Sequence, residues 1–123
     1  MTAPTLPSLL QGFFTERLVR QLQASPQTIT AYRDTIKLLL LFAAQRTKKA
    51  PARLTIDDLD AVMVGAFLDH LDTERGNSTA TRNARLAAIH SLYRYALPLI
   101  PERAHTASQV LAIPQRRHDR AIV

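Results

Sequence analysis

The residues of this chain best suited to chemistry are hydroxyls, amides and arginines gathered at two helix starts. One is Ser25-Pro26-Gln27-Thr28-Ile29-Thr30-Ala31-Tyr32-Arg33. The other is Ser78-Thr79-Ala80-Thr81-Arg82-Asn83-Ala84-Arg85, which runs on into Leu86, Ile89 and Tyr93. Each opens on a serine suited to cap a helix, followed by polar side chains in the first turns and then an apolar stripe. A helix start leaves backbone N–H groups unpaired and carries the positive end of the helix dipole. Hydroxyls and guanidinium groups beside it make a surface that attracts phosphate oxygens. Two such starts in one small basic chain point to DNA.

Other chemistry finds little support. His70, His90, His105 and His118 stand in no metal-ligand spacing, and His70 with Asp69 and Asp72 is the nearest approach to a cluster. A solvated helix end explains that group more simply. No phosphate-binding glycine loop, dinucleotide fingerprint or nucleophile elbow is present. Asp57 and Asp58 suit helix capping. Tyr32 and Tyr93 fall on apolar stripes and read as core, whereas Tyr95 lies off the stripe and reads as a surface or interface residue. No cofactor and no metal are expected.

The elements that position the two starts follow from periodicity and punctuation. The predicted helices are residues 7–22, from 26 to about 46, from 55 to before Gly76-Asn77, and 79–97, with a short fifth from Thr106. Ser25 with Pro26 at the first helical position is a favoured opening. Thr55 with Asp58, and Thr106 with Gln109, fit capping boxes. The second half of helix two is apolar nearly all round after Leu38, so it is expected to be the most buried element. The fold class is all-α: a compact bundle of four main helices plus a short fifth, covering residues 1–113, with a basic linker at 114–123.

The 123 residues suit one domain, and the apolar fraction of 46% is that of an ordinary globular chain. Net charge is +6, from 16 Lys and Arg against 10 Asp and Glu. A basic balance favours polyanion partners or anionic surfaces. The signs are segregated. Asp57, Asp58, Asp60, Asp69, Asp72 and Glu74 crowd helix three, with no cation before Arg75. That helix is expected to face away from a polyanion, and the basic groups collect on helix two, the loop after it, helix four and the tail. The absence of cysteine excludes disulfides and thiolate metal sites. The apolar run Leu38 to Ala44, the nearest to a membrane span, is too short to cross a bilayer. No basic region precedes an apolar core at the start, so a cytoplasmic location is expected.

By angle, helix four carries Ala80, Ala84, Ala87 and Ser91 opposite its apolar stripe. Such a face either admits a phosphate backbone closely or packs on another helix. In helix two, Gln27, Thr30 and Lys37 lie opposite the stripe, and Asp34 among them opposes deep insertion into a groove.

Taken in order, Ser25-x-x-Thr28-x-x-x-Tyr32, Leu39 to Phe42, Leu54-Thr55-x-x-Asp58 and Ser78-x-x-Thr81-x-Asn83-x-Arg85-Leu86-x-x-Ile89-x-Ser91-Leu92-Tyr93-x-Tyr95 resemble the N-terminal core-binding, SAM-like domain of tyrosine recombinases and phage integrases. Ile113-Pro114-Gln115-Arg116-Arg117 resembles the linker toward their catalytic domain. The resemblance implies one half of a clamp around double-stranded DNA, with helices two and four approaching adjacent major grooves. It also implies a catalytic domain in the same parent chain, and further recombinase protomers on the DNA. That domain would supply an arginine, a His-x-x-Arg segment and a tyrosine nucleophile, none of which is matched before Val123. The expectation is a DNA-binding, non-catalytic arm that binds weakly by itself. Gln27, Thr28, Thr30, Arg33, Lys37, Thr79, Thr81, Arg82, Asn83 and Arg85 are the expected DNA contacts, with Gln27 and Asn83 on base edges. Lys48, Lys49, Arg116 and Arg117 would add attraction from the loop and tail. A helical protein-interaction module with a basic surface and a helix-turn-helix regulator are the alternatives. The second is disfavoured because the acidic helix separates the two candidate helices.

Overall fold

The computed structural model describes residues 4–117, so the rest of the expected linker, with His118 and Arg120, lies outside the described residues. Helix α1 spans Leu6–Gly12 and continues without a break as a π-helical segment, Phe13–Gln21. Bonding five residues back, as from Leu22 N–H to the Arg17 carbonyl, brings Phe13 and Leu18 to the same side, and both are buried. Ordinary helical spacing predicts a plain α-helix here and misses the wider turn. Helix α2 spans Pro26–Thr47 with Ser25 as its cap. Lys48, in the left-handed region at φ 59°, ends it.

The Thr55–Asp58 capping box is present, but it caps a 3-10 turn, Ile56–Leu59. Helix α3 starts afresh at Ala61–Thr73, with Asp60 accepting from Met63 N–H at 2.9 Å. Gly76, at φ 61°, makes the turn that leads to helix α4, Thr79–Ala96, capped by Ser78. After 3-10 turns at Leu97–Leu99 and Pro101–Arg103, helix α5 spans Ala104–Leu111. It begins two residues before the expected Thr106 and carries no side-chain cap. Pro101 opens the 3-10 turn that feeds it and starts the helical path early. The described residues contain no strand, and none of their helices is long and apolar enough to cross a membrane.

The most buried element is α4, not the second half of α2. Nine α4 side chains are buried, against four on α2, where Leu41 stays half exposed. Helix α4 packs against α2, α3 and α5, and so has neighbours on several sides. Its alanines at 88 and 96 keep those neighbours close.

Tyr95 is not a surface residue. It is half-buried, with its ring 6.0 Å from Phe13 and the Arg17 guanidinium 5.3 Å above it. Its hydroxyl lies where a Cβ at Gly12 would stand, and the ring carbon behind it would be 3.2 Å away. Gly12→Ala is therefore expected to lose about 1–3 kcal/mol by overpacking. Tyr95→Phe in the same chain should recover part of that loss, as read from urea midpoints.

His90 is 8% exposed, and its Nε2 lies 3.0 Å from the Val110 carbonyl oxygen, tying α4 to α5. Burial and the nearby Arg94 charge hold its pKa below the usual 6.5, outweighing the opposing pull of that carbonyl. The unfolded chain therefore takes up a proton that the folded chain resists. The stability contribution is complete above pH 6.5 and falls as pH drops toward the lowered value. Urea midpoints between pH 8 and pH 5.5 should decline in the wild type and decline less in His90→Gln.

Candidate nucleic-acid interface

The two helix starts share one local geometry. Ser25 Oγ accepts from Thr28 N–H at 3.1 Å and donates to Thr28 Oγ1 at 3.0 Å. Ser78 Oγ does the same with Thr81, at 3.1 Å in both bonds. Because each serine hydrogen is committed to a threonine oxygen, each threonine keeps its own hydrogen for an outside acceptor. Helices α2 and α4 pack against each other. Ala31, Tyr32, Asp34 and Thr35 line one wall of an open groove, and Thr81, Ala84 and Arg85 line the other. Ala31 and Ala84 are exposed, so the small-residue face of α4 is open at this end.

Of the α2 candidates, Gln27, Thr30, Arg33 and Lys37 are exposed, and Thr28 is half-buried by its capping role. The Arg33 guanidinium lies 5.7 Å from the Phe14 ring centre, which gives a long side chain a fixed seat. Lys48 is exposed at the end of α2. Lys49 is engaged: Nζ lies 2.9 and 3.0 Å from the two Asp58 oxygens. Burial alone would raise the Asp58 pKa. The Thr55 amide and hydroxyl together with the Lys49 charge outweigh it and hold the carboxyl below its usual range.

On α4 the geometry departs from the expected contacts. Thr79 and Thr81 are half-buried at the tip, and Arg85 is half-buried with Nη1 donating to Thr35 Oγ1 at 3.2 Å. Arg82 and Asn83 are each only 8% exposed. The Asn83 amide donates to the Arg116 carbonyl at 2.7 Å and accepts from the Arg116 N–H at 2.9 Å. The carboxamide is buried with both its nitrogen and its oxygen engaged, so Asn83 holds the Arg116 backbone in place of the expected base-edge contact. Arg82 Nε lies 3.5 Å from Asp72 Oδ2, and Arg116 Nη1 lies 2.6 Å from the same oxygen. The reason is periodic. Residues 82, 83, 86, 89, 90 and 93 follow helical spacing, so the buried stripe runs one turn further back than Leu86. Arg117 is exposed.

Asp72 corrects the expected charge map as well. Its end of α3 borders the start of α4 and does not turn away from it. Two more acids of the same run are paired, Asp57 with Arg103 at 2.9 Å and Asp58 with Lys49. His70 packs its ring 5.1 Å from that of Phe42.

The sequence matches a family model described as "Phage integrase, N-terminal SAM-like domain" over residues 12–98. Two proteins of Sinorhizobium fredii (strain NBRC 101917 / NGR234) are similar. "Putative integrase/recombinase y4rC" is 49% identical over 119 residues, covering 97% of this chain and 36% of the relative. "Putative integrase/recombinase y4rD" is 45% identical over 112 residues, covering 91% of this chain and 40% of the relative. The chain thus spans about two fifths or less of the length of these relatives. No solved structure matches it.

Proposed function

The chain belongs to the phage-integrase N-terminal SAM-like domain family, and from that membership we propose that it is the DNA-holding arm of a tyrosine-type site-specific recombinase. The observation that carries this reading is the repeated Ser-x-x-Thr cap at the starts of α2 and α4. It leaves a free hydroxyl hydrogen at each, and the exposed side chains of Gln27, Thr30, Arg33 and Lys37 follow on α2. Thr28, Thr30, Thr79, Thr81, Arg33 and Lys37 contact phosphates and fix the register of the domain on the duplex. Gln27 is the base reader, because its amide can bond two positions of one adenine edge. Arg85 stiffens the groove wall through Thr35. Lys48 and Arg117 add attraction at longer range.

The reading assigns no catalytic residue to these positions. Strand cleavage and joining belong to a catalytic domain of the parent protein, and neighbouring protomers on the DNA complete the assembly. The work is done on cytoplasmic DNA without a cofactor. A salt titration of duplex binding tests the reading. Hydroxyl contacts release no counterions, so the four cations Arg33, Lys37, Lys48 and Arg117 give a log–log slope of up to about −3.6. Binding that ignores salt, or none at low salt, contradicts it.

A further inference from the structure

Residues 113–117 follow α5 and come to lie on the start of α4. The Asn83 carboxamide holds the Arg116 backbone by two bonds, donating to its carbonyl and accepting from its N–H. The Arg116 side chain, about half exposed, meets Asp72 Oδ2, which also faces the buried Arg82. Arg82 Nε and Nη1 have no hydrogen-bond partner, so this carboxylate is the charge that compensates both guanidinium groups.

The two halves of this attachment differ in kind. The amide–peptide pair is neutral and backed by a buried side chain, so salt and phosphate leave it in place. The Arg116–Asp72 pair has one member open to water, so a stronger anion can replace the carboxylate. We propose that residues 113–117 are a latch with a permanent half at Asn83 and an exchangeable half at Asp72. Asn83 is a positioning residue that fixes where the chain leaves the domain. Asp72 occupies Arg116 in place of a phosphate until duplex DNA displaces it. Only the exchange at Asp72 rests on the DNA-holding reading; the clamp at Asn83 stands on the free protein.

The clamp is tested by backbone relaxation of the 15N-labelled 123-residue chain. Gln115 and Arg117 should show order parameters near 0.85 in the wild type. They should stay there in Arg116→Ala, which keeps the N–H, and fall below about 0.6 in Arg116→Pro, which removes it. Asn83→Ala should match Arg116→Pro. Should Asn83→Ala fail to fold, Arg116→Pro decides by comparison with Arg116→Ala, which loses the same ion pair to Asp72 and keeps the N–H. A wild-type tail already below about 0.6, or an Arg116→Pro tail as ordered as wild type, overturns the clamp.

The exchange is tested on a short duplex. Asp72→Asn should bind several-fold tighter, with a salt slope steeper by up to about 0.9. Equal or weaker binding by a folded Asp72→Asn overturns the exchange; should Asp72→Asn fail to fold, Arg116→Ala decides, with a salt slope shallower by up to about 0.9 expected and an unchanged slope overturning it. If neither protein binds at low salt, the DNA-holding reading fails and takes the exchange with it, while the relaxation result still decides the clamp.

Discussion

Arg33→Glu combined with Lys37→Glu is expected to lower duplex affinity more than tenfold, a loss of at least about 1.4 kcal/mol. It should also remove about 1.8 from the log–log salt slope, two phosphate contacts at about 0.9 each. Both side chains are exposed one turn apart on α2, and neither takes part in an ion pair among the described residues. Glutamate is as good a helix former as arginine or lysine, so α2 persists. Only the seat of Arg33 over Phe14 is lost, at about 0.5–1 kcal/mol of stability. Asp34 stands between the two cations and already opposes phosphate, so Asp34→Asn should move affinity the other way. Fluorescence anisotropy at several salt concentrations reads all three proteins. An unchanged slope in the double variant would place the polyanion face elsewhere. Arg82→Ala is expected to act differently, because that guanidinium is buried against Asp72. It should lower the urea midpoint and leave the salt slope near the wild-type value.

That contrast marks where the sequence is readable. Ser25, Pro26 and Ser78 declare their helix starts because a cap needs a short hydroxyl side chain and the first turn tolerates proline. Thr55 and Asp58 declare a cap equally well, but a 3-10 turn and an α-helix have the same unpaired N–H groups at their start. That pattern does not distinguish the two, and Asp60, the cap of α3, stands just beyond it. The π-helical segment was hidden for a related reason. Leu9, Leu10, Phe13 and Phe14 fit ordinary spacing, and only packing decides that Leu18 follows Phe13 by a wider turn. On α2 the polar candidates lie opposite a long apolar stripe, and their exposure follows. On α4, arginine and asparagine read as solvent-facing because their types are polar, although their positions continue the stripe that Leu86, Ile89 and Tyr93 begin. Their burial depends on partners distant in sequence, Asp72 and the Arg116 peptide, which local pattern does not reveal.

Tyr93 carries the largest expected effect on stability. It is fully buried in the last turn of α4, and its hydroxyl donates to the Leu59 carbonyl at the end of the 3-10 turn before α3. Asp60, the next residue, caps α3, so this one bond ties the central helix to the place where the chain restarts as a helix. Burial, with the Asp60 charge adding to it, pushes the phenol well above its usual range, so the group stays a donor at any pH where the fold exists. Tyr93→Phe keeps the ring and leaves the Leu59 carbonyl without its partner, at a cost of about 1–3 kcal/mol. Tyr93→Ala removes the ring as well and opens a cavity in the buried core, raising the loss to about 3–5 kcal/mol. A domain of this size has only about 5–15 kcal/mol in total, so Tyr93→Ala should be largely unfolded at modest urea while Tyr93→Phe melts cooperatively. If the two variants had the same midpoint, the ring would contribute nothing beyond its hydroxyl. The packing of α4 at the centre of the bundle would then be wrong.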